Sequence, residues 1–288
     1  DHNVMVRGPE GYYGEEDNQV LLLVGEEVHD RSRQPQKNHL LIFDVDDEMS
    51  DRAEDPQQLI DAVRQAGGLS FIAHPVDPAA PAVDQSNISW VAWDVHGFTG
   101  IELWNAFSEF KSLLKSKWHA LFYAYQPHRI ARGPFPGTME RWDQLTSNGQ
   151  RVVAIGGSDA HALAASMGPL KRTVFPYRFH FQGVNTHLLT PRPLQGHLQR
   201  DQKMLWEAFR QGHAFVGYDL PVSTRGFRFK AHGKNHTAIM GDEISAKHGV
   251  TMQITLPKRA ECRLIKDGSM IRSWENREIC AFTTTDPG

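Results

Sequence analysis

The sequence predicts an α/β architecture of barrel type, followed by a small antiparallel β-sandwich. Three observations carry this. Short apolar runs of strand length alternate with helical segments over roughly the first 220 residues. Several of those runs end in histidine or carboxylate residues, where barrel enzymes place their chemistry. From Pro221 onward helical periodicity fades and apolar residues alternate with polar ones. The expected domains are a barrel over residues 1–220 and a β-sandwich over 221–288 that stops before its last strand.

Taken in order, Gln19–Val24 is an apolar run of strand length that ends at Gly25-Glu26-Glu27. An acidic pair directly after such a run is either a solvated loop or functional. His39–Val45 reads as a second strand with His39 at its start. Asp55-Pro56 opens a helix, with an N-cap carboxylate and proline in the first turn. Leu59, Ile60, Val63 and Ala66 then recur at helical spacing up to Gly67-Gly68. Leu69–Ala73 is a third strand, and it stops at His74-Pro75. Gly100–Asn105 is a fourth, carrying Glu102 and Asn105. Residues 107–125 are helical in propensity, and Met139–Ser147 is a helix that feeds the run Val152–Ile155. That run ends in Gly156-Gly157-Ser158-Asp159-Ala160-His161.

In an extended segment residues i and i+2 point the same way, so Asp159 and His161 aim together past a strand end. A carboxylate and an imidazole suit a divalent cation. A cap residue and a packed histidine are the plain alternative. Further on, Asp201–Arg210 is an amphipathic helix, and Lys266-Asp267-Gly268-Ser269 marks a hairpin turn between alternating runs.

Composition narrows the function classes. The 288 residues are 40% hydrophobic and 23% charged, with a net charge of −3. Nothing there points to nucleic acid or an anionic membrane as the main partner. No apolar run approaches the roughly 20 residues needed to span a bilayer. Two cysteines, Cys262 and Cys280, make neither a disulfide framework nor a cysteine zinc site. Fifteen histidines stand out instead. Both chain ends read as cuts, so the compartment is left open.

Glu27, His74, Glu102 and the pair Asp159/His161 thus fall at strand ends in succession. Buried charges need partners, and a shared cation supplies one. In order, Asp1-His2-Asn3, Gly25-Glu26-Glu27, Ala73-His74-Pro75 and Gly157-Ser158-Asp159-Ala160-His161 resemble the motifs of the polymerase-and-histidinol-phosphatase superfamily of metal-dependent hydrolases. The Glu-Glu pair, Ile101–Asn105 and Ile239–Glu243 look most like its carbaryl-hydrolase-like branch.

The resemblance implies a distorted (β/α)7 TIM-like barrel, whose first strand with its His-x-His pair would precede residue 1. It implies two or three divalent cations (zinc, manganese or iron). The metal ligands it implies are His2, Glu27, His74, Glu102, Asp159 and His161. Glu27 bridges, and Glu27 and Asp159 serve catalysis. Asp1, His39 and Asn105 are expected to brace these ligands. Without the His-x-His pair, metal binding is expected to be weakened and activity low.

The expected function is water activation by the metals to cleave a phosphate ester of a small molecule. A carbamate or carboxylic ester is the alternative bond. A degenerate module that binds metal or glycan is the alternative of another class. His128, Arg129 and Arg132 meet an anionic substrate or lie on a solvated loop, and Trp104 and Phe107 serve an apolar substrate or the core.

Overall fold

The computed structural model describes residues 2–15, 18–167 and 170–288. At its centre are five strands in chain order: β1 Glu26–Val28, β2 Leu40–Phe43, β3 Leu69–Ile72, β4 Gly100–Asn105 and β5 Val153–Gly157. β1 and β3 each run antiparallel to β2, while β3, β4 and β5 are mutually parallel.

The pleat sorts the side chains into two cores. Leu40, Ile42, Ile72 and Ile101 face helices α1 (Pro56–Gln65) and α4 (Pro136–Ser147) through Leu59, Ile60, Val63, Trp142 and Leu145. Leu41, Phe43, Leu69, Phe71, Val153 and Ile155 face Trp206 and Phe209, which lie on the 198–210 helix.

This corrects the expected barrel. Among the described residues the sheet is open and mixed, with six α-helices, and no closed seven-stranded barrel forms. Strand runs and their polar ends can be read from sequence. Closure depends on which edges pair, and β2 lies antiparallel to its neighbours. The run Gln19–Val24 also leaves the sheet, because Val20–Leu22 pairs with Gly11–Tyr13 in a separate hairpin.

Local signals fared better. Asp55 caps α1 by accepting from the Gln57 and Gln58 amides at 2.9 and 3.1 Å. The expected helix at 107–125 is two, α2 Ala106–Leu113 and α3 Lys117–Tyr125, each capped by a side chain, Asn105 and Ser116. Chain order continues with a short α5, Tyr177–His180, and with α6, Leu198–Arg210. Gly100 is where β4 must approach β5: a Cβ there would lie 2.1 Å from the Val153 carbonyl oxygen.

An antiparallel pair, β6 Val184–Leu188 and β7 Ala214–Tyr218, joined through α6, lies against β5. Thr186 Oγ1 donates to the Gly156 carbonyl and accepts from its amide, both at 2.8 Å. Beyond it, β8 Arg228–His232, β9 Thr237–Ile239, β10 Val250–Lys266 and β11 Ser269–Thr284 form one antiparallel sheet in the order β9-β8-β10-β11. The expected sandwich is therefore corrected to a single sheet with a long two-stranded ribbon. No second sheet packs on it among the described residues. The turn at Asp267-Gly268 has φ of 49° and 73°, as the hairpin signature requires. No helix among the described residues is long and apolar enough to cross a membrane.

Asp219 ties the start of the tail to the β6–β7 pair. It accepts from the Thr224 amide (2.6 Å), Asn185 Nδ2 (3.0 Å) and His187 Nε2 (2.7 Å). Burial alone would raise its pKa, but these donors together hold it down at about 2. A depressed carboxylate stabilises the fold above its ordinary pKa of 3.8, and that stability is lost as pH falls towards about 2. Asp219→Asn is therefore expected to lower stability at pH 6 by roughly 2 kcal/mol and to flatten the acid limb between about pH 4 and 2. Urea unfolding at a series of pH values checks this, and parallel curves for the two proteins would contradict it.

Candidate metal centre

The parallel strands β1, β3, β4 and β5 all end at one edge of the sheet, and so does the start of the antiparallel β2. That topology collects the polar residues. Glu27 comes from β1 with His29 just past its end, His39 immediately precedes β2, and His74 follows β3. His2 joins through a parallel β-bridge to Glu27, and the Asn3 amide donates to the Glu27 carbonyl at 2.8 Å.

The Glu27 carboxylate is the hub. Its Oε1 lies 2.7 Å from His39 Nδ1 and 3.2 Å from His74 Nε2, and its Oε2 lies 3.6 Å from His2 Nε2. Burial would raise its pKa, but the His39 and His74 hydrogen bonds and the His74 and His2 charges hold it well below the usual carboxylate range. Burial would lower His74, yet the Glu27 hydrogen bond and the charges of Glu27, Glu102 and Asp159 lift it to about 9.

Among the described residues two groups have the makings of a cation site. The ligand atoms of Glu27, His39 and His74 lie within 4.8 Å of one another, and so do those of His2, His29 and His39. The two groups share His39. The fit to a cation rests on the donor set, since the nitrogens that face Glu27 are His39 Nδ1 and His74 Nε2. The opposite ring nitrogens, His39 Nε2 and His74 Nδ1, are buried with no hydrogen-bond partner among the described residues. Such an atom ordinarily costs about 1–3 kcal/mol. A set of imidazole nitrogens and one carboxylate suits zinc, manganese or iron, so the residues present fit the expected metal.

The remaining expected residues divide. Asp159 and His161 line the same cavity of about 360 Å³ as His2, Glu27, His39 and His74. They meet by a different route from the one expected. Asp159 is not extended but holds φ 48°, and His161 Nδ1 folds back to 3.2 Å from its Oδ1. Burial raises the Asp159 carboxyl, with the Glu27 charge adding to it. The His161 ring stacks on Phe107 at 4.7 Å.

Glu102 is buried behind His74 and belongs to neither ligand group. It accepts from the His74 amide at 2.8 Å and from Asn105 Nδ2 at 2.9 Å. Asn105 also reaches Asp159 Oδ2 at 3.4 Å, bracing two strand ends at once. Burial pushes the Glu102 carboxyl up to about 7. His39, expected only as a brace, is in contact with the hub. Asp1 lies outside the described residues. His128, Arg129 and Arg132 do not line the cavity.

His29 was not foreseen. Its ring stacks on His39 at 4.4 Å, its amide donates to Asn3 Oδ1 at 3.0 Å, and Asn3 Nδ2 lies 3.3 Å from its Nδ1. The signal was present, since Glu27 and His29 have the same i, i+2 spacing as Asp159 and His161. His74 and Asn3 hold φ of 27° and 55°. Strained backbone of this kind concentrates where function over-determines it.

Compared with known proteins, the chain matches no family model and no curated sequence.

His39→Leu takes the 2.7 Å partner from the buried Glu27 carboxylate, so it is expected to cost several kcal/mol in the metal-free fold. Zinc at about a hundred times its Kd should stabilise the wild type by roughly 2.7 kcal/mol and the variant far less. Denaturant unfolding with zinc and with chelator measures both. Equal stabilisation of the two proteins would contradict the assignment.

Proposed function

We propose that the chain is a metal-dependent hydrolase that activates water to cleave an ester of a small molecule, with phosphate esters as its substrate class. The observation that carries the reading is the shared Glu27 carboxylate, set between His39 and His74 at the wall of an open cavity. The motif resemblance shares His2, Glu27 and His74 with the two ligand groups, whereas it implied Glu102, Asp159 and His161 as further ligands and His39 as a brace.

Glu27, His39 and His74 would hold a cation, with His2 and His29 beside His39. Bound there, a cation would supply Lewis acidity for the attacking water and the ester oxygen. The chain's own residues do the rest. Asp159 lines the cavity with a carboxyl raised by burial, which suits a group that accepts the water's proton and returns it to the leaving group. Asn105 fixes Asp159 and Glu102 together, and Glu102 holds the His74 backbone in place. His161, on Phe107 at the cavity wall, is placed to contact the substrate.

Hydrolysis of p-nitrophenyl phosphate by the full chain, with manganese or zinc and then with chelator, tests the proposal. Turnover should vanish with chelator. His74→Ala should lower kcat/KM at least 100-fold, and Asp159→Asn should lower kcat with little effect on metal content. Chelator-resistant turnover, or wild-type turnover by a His74→Ala, Asp159→Ala double variant, would overturn it.

A further inference from the structure

The wall of the same cavity carries a buried lysine that nothing above uses. Lys111 on α2 is 3% exposed and lines the cavity together with the histidines. Among the described lining residues it is the one lysine or arginine, beside the carboxylates of Glu27, Asp77, Asp84 and Asp159 and the imidazoles of His2, His39, His74 and His161. Its ammonium pairs with buried Asp77 Oδ1 and donates to the Ser86 carbonyl at 3.0 Å. Ser108 Oγ donates to the other Asp77 oxygen at 2.5 Å.

We propose that Lys111 is the anion-binding residue of this cavity and takes the phosphate group of the ester substrate. The assignment rests on the hydrolase reading above and names the recognition half of that site.

The geometry argues for it in three ways. An ammonium has three donors, and Asp77 and Ser86 engage two of them, so one remains for a ligand. A buried ion pair is weak evidence for stability, because a well-packed apolar pair of similar volume holds a fold as well or better. A charge kept at a cavity wall therefore calls for a use. The lysine is also locked to the metal ligands. Asp77 lies three residues after His74, and α2 begins at the Asn105 cap that contacts Glu102 and Asp159. A phosphate entering without Lys111 would face those four carboxylates with only imidazoles and a bound cation to offset them.

Asp77 sets the strength of this cation. Asp77→Asn keeps the Ser108 contact and the shape but frees the ammonium from its counter-charge. A purely structural pair would only be weakened by that change, whereas an anion-binding lysine should bind its anion more tightly.

The test is calorimetric titration of inorganic phosphate into the full chain, once loaded with manganese and once in chelator. The proteins are wild type, Asp77→Asn, and the double variant Asp77→Asn, Lys111→Met, which leaves no unpaired buried charge. The expected order of affinity is Asp77→Asn above wild type above the double variant. The two variants should differ at least tenfold, while manganese binds all three alike. Equal phosphate affinity in the three proteins, a weaker Asp77→Asn than wild type, or no phosphate binding by wild type in either state would overturn the assignment. If the double variant does not fold, the comparison of Asp77→Asn with wild type decides it. A chain that binds no manganese overturns the metal reading instead, and the phosphate order in chelator judges Lys111 separately.

Discussion

The structure of the site depends on one buried carboxylate. Glu27 sits in a short edge strand and is shared by histidines from two other places on the same sheet edge. Removing such a partner would leave buried charge uncompensated, which ordinarily costs several kcal/mol. Around this hub the strand ends are drawn into one constellation. His74 is fixed from behind by Glu102, Glu102 by Asn105, and Asn105 reaches Asp159. Each link ties the end of one strand to the next, so the chemistry and the sheet edge are built from the same contacts.

The arrangement leaves ring nitrogens buried without partners and holds His74 and Asp159 at positive φ. Those are costs that the fold carries at this site. Stability elsewhere comes from ordinary sources. The sheet is packed on both faces by aliphatic and aromatic side chains from α1, α4 and α6. The tail is tied to the body by polar contacts such as His213 with Asp242 at 2.9 Å and Arg151 with the Gly241 carbonyl at 2.9 Å.

Much of this was legible in the residues. The apolar runs ending in Glu27, His74, Asn105 and Asp159 mark strand ends because their polar residues sit where an apolar pattern stops. The Asp55 cap and the Lys266–Ser269 turn follow from local chemistry, which long-range packing seldom overrides. Other features depend on pairing that no local pattern encodes. His39 stands at the start of its run, and it reaches the hub because β2 is antiparallel to both neighbours. The same reversal departs from a (β/α) barrel, whose strands all run parallel. His29 was hidden because it lies two residues past the carboxylate at which the apolar pattern stops. Asp159 and His161 were paired for the wrong reason, since a left-handed turn brings them together and not the pleat. Lys111 carried no signal at all, because a lysine in a helix is usually solvated.

The central claim is that histidine and carboxylate side chains at this sheet edge hold a divalent cation. X-ray absorption at the zinc edge of the zinc-loaded, desalted protein addresses it most directly. A shell of nitrogen and oxygen alone is expected, with imidazole scattering that falls away in a His39→Leu, His74→Ala double variant. A sulfur shell, which would place the metal at Cys262 or Cys280 in the tail sheet, or no retained zinc at all, would contradict it.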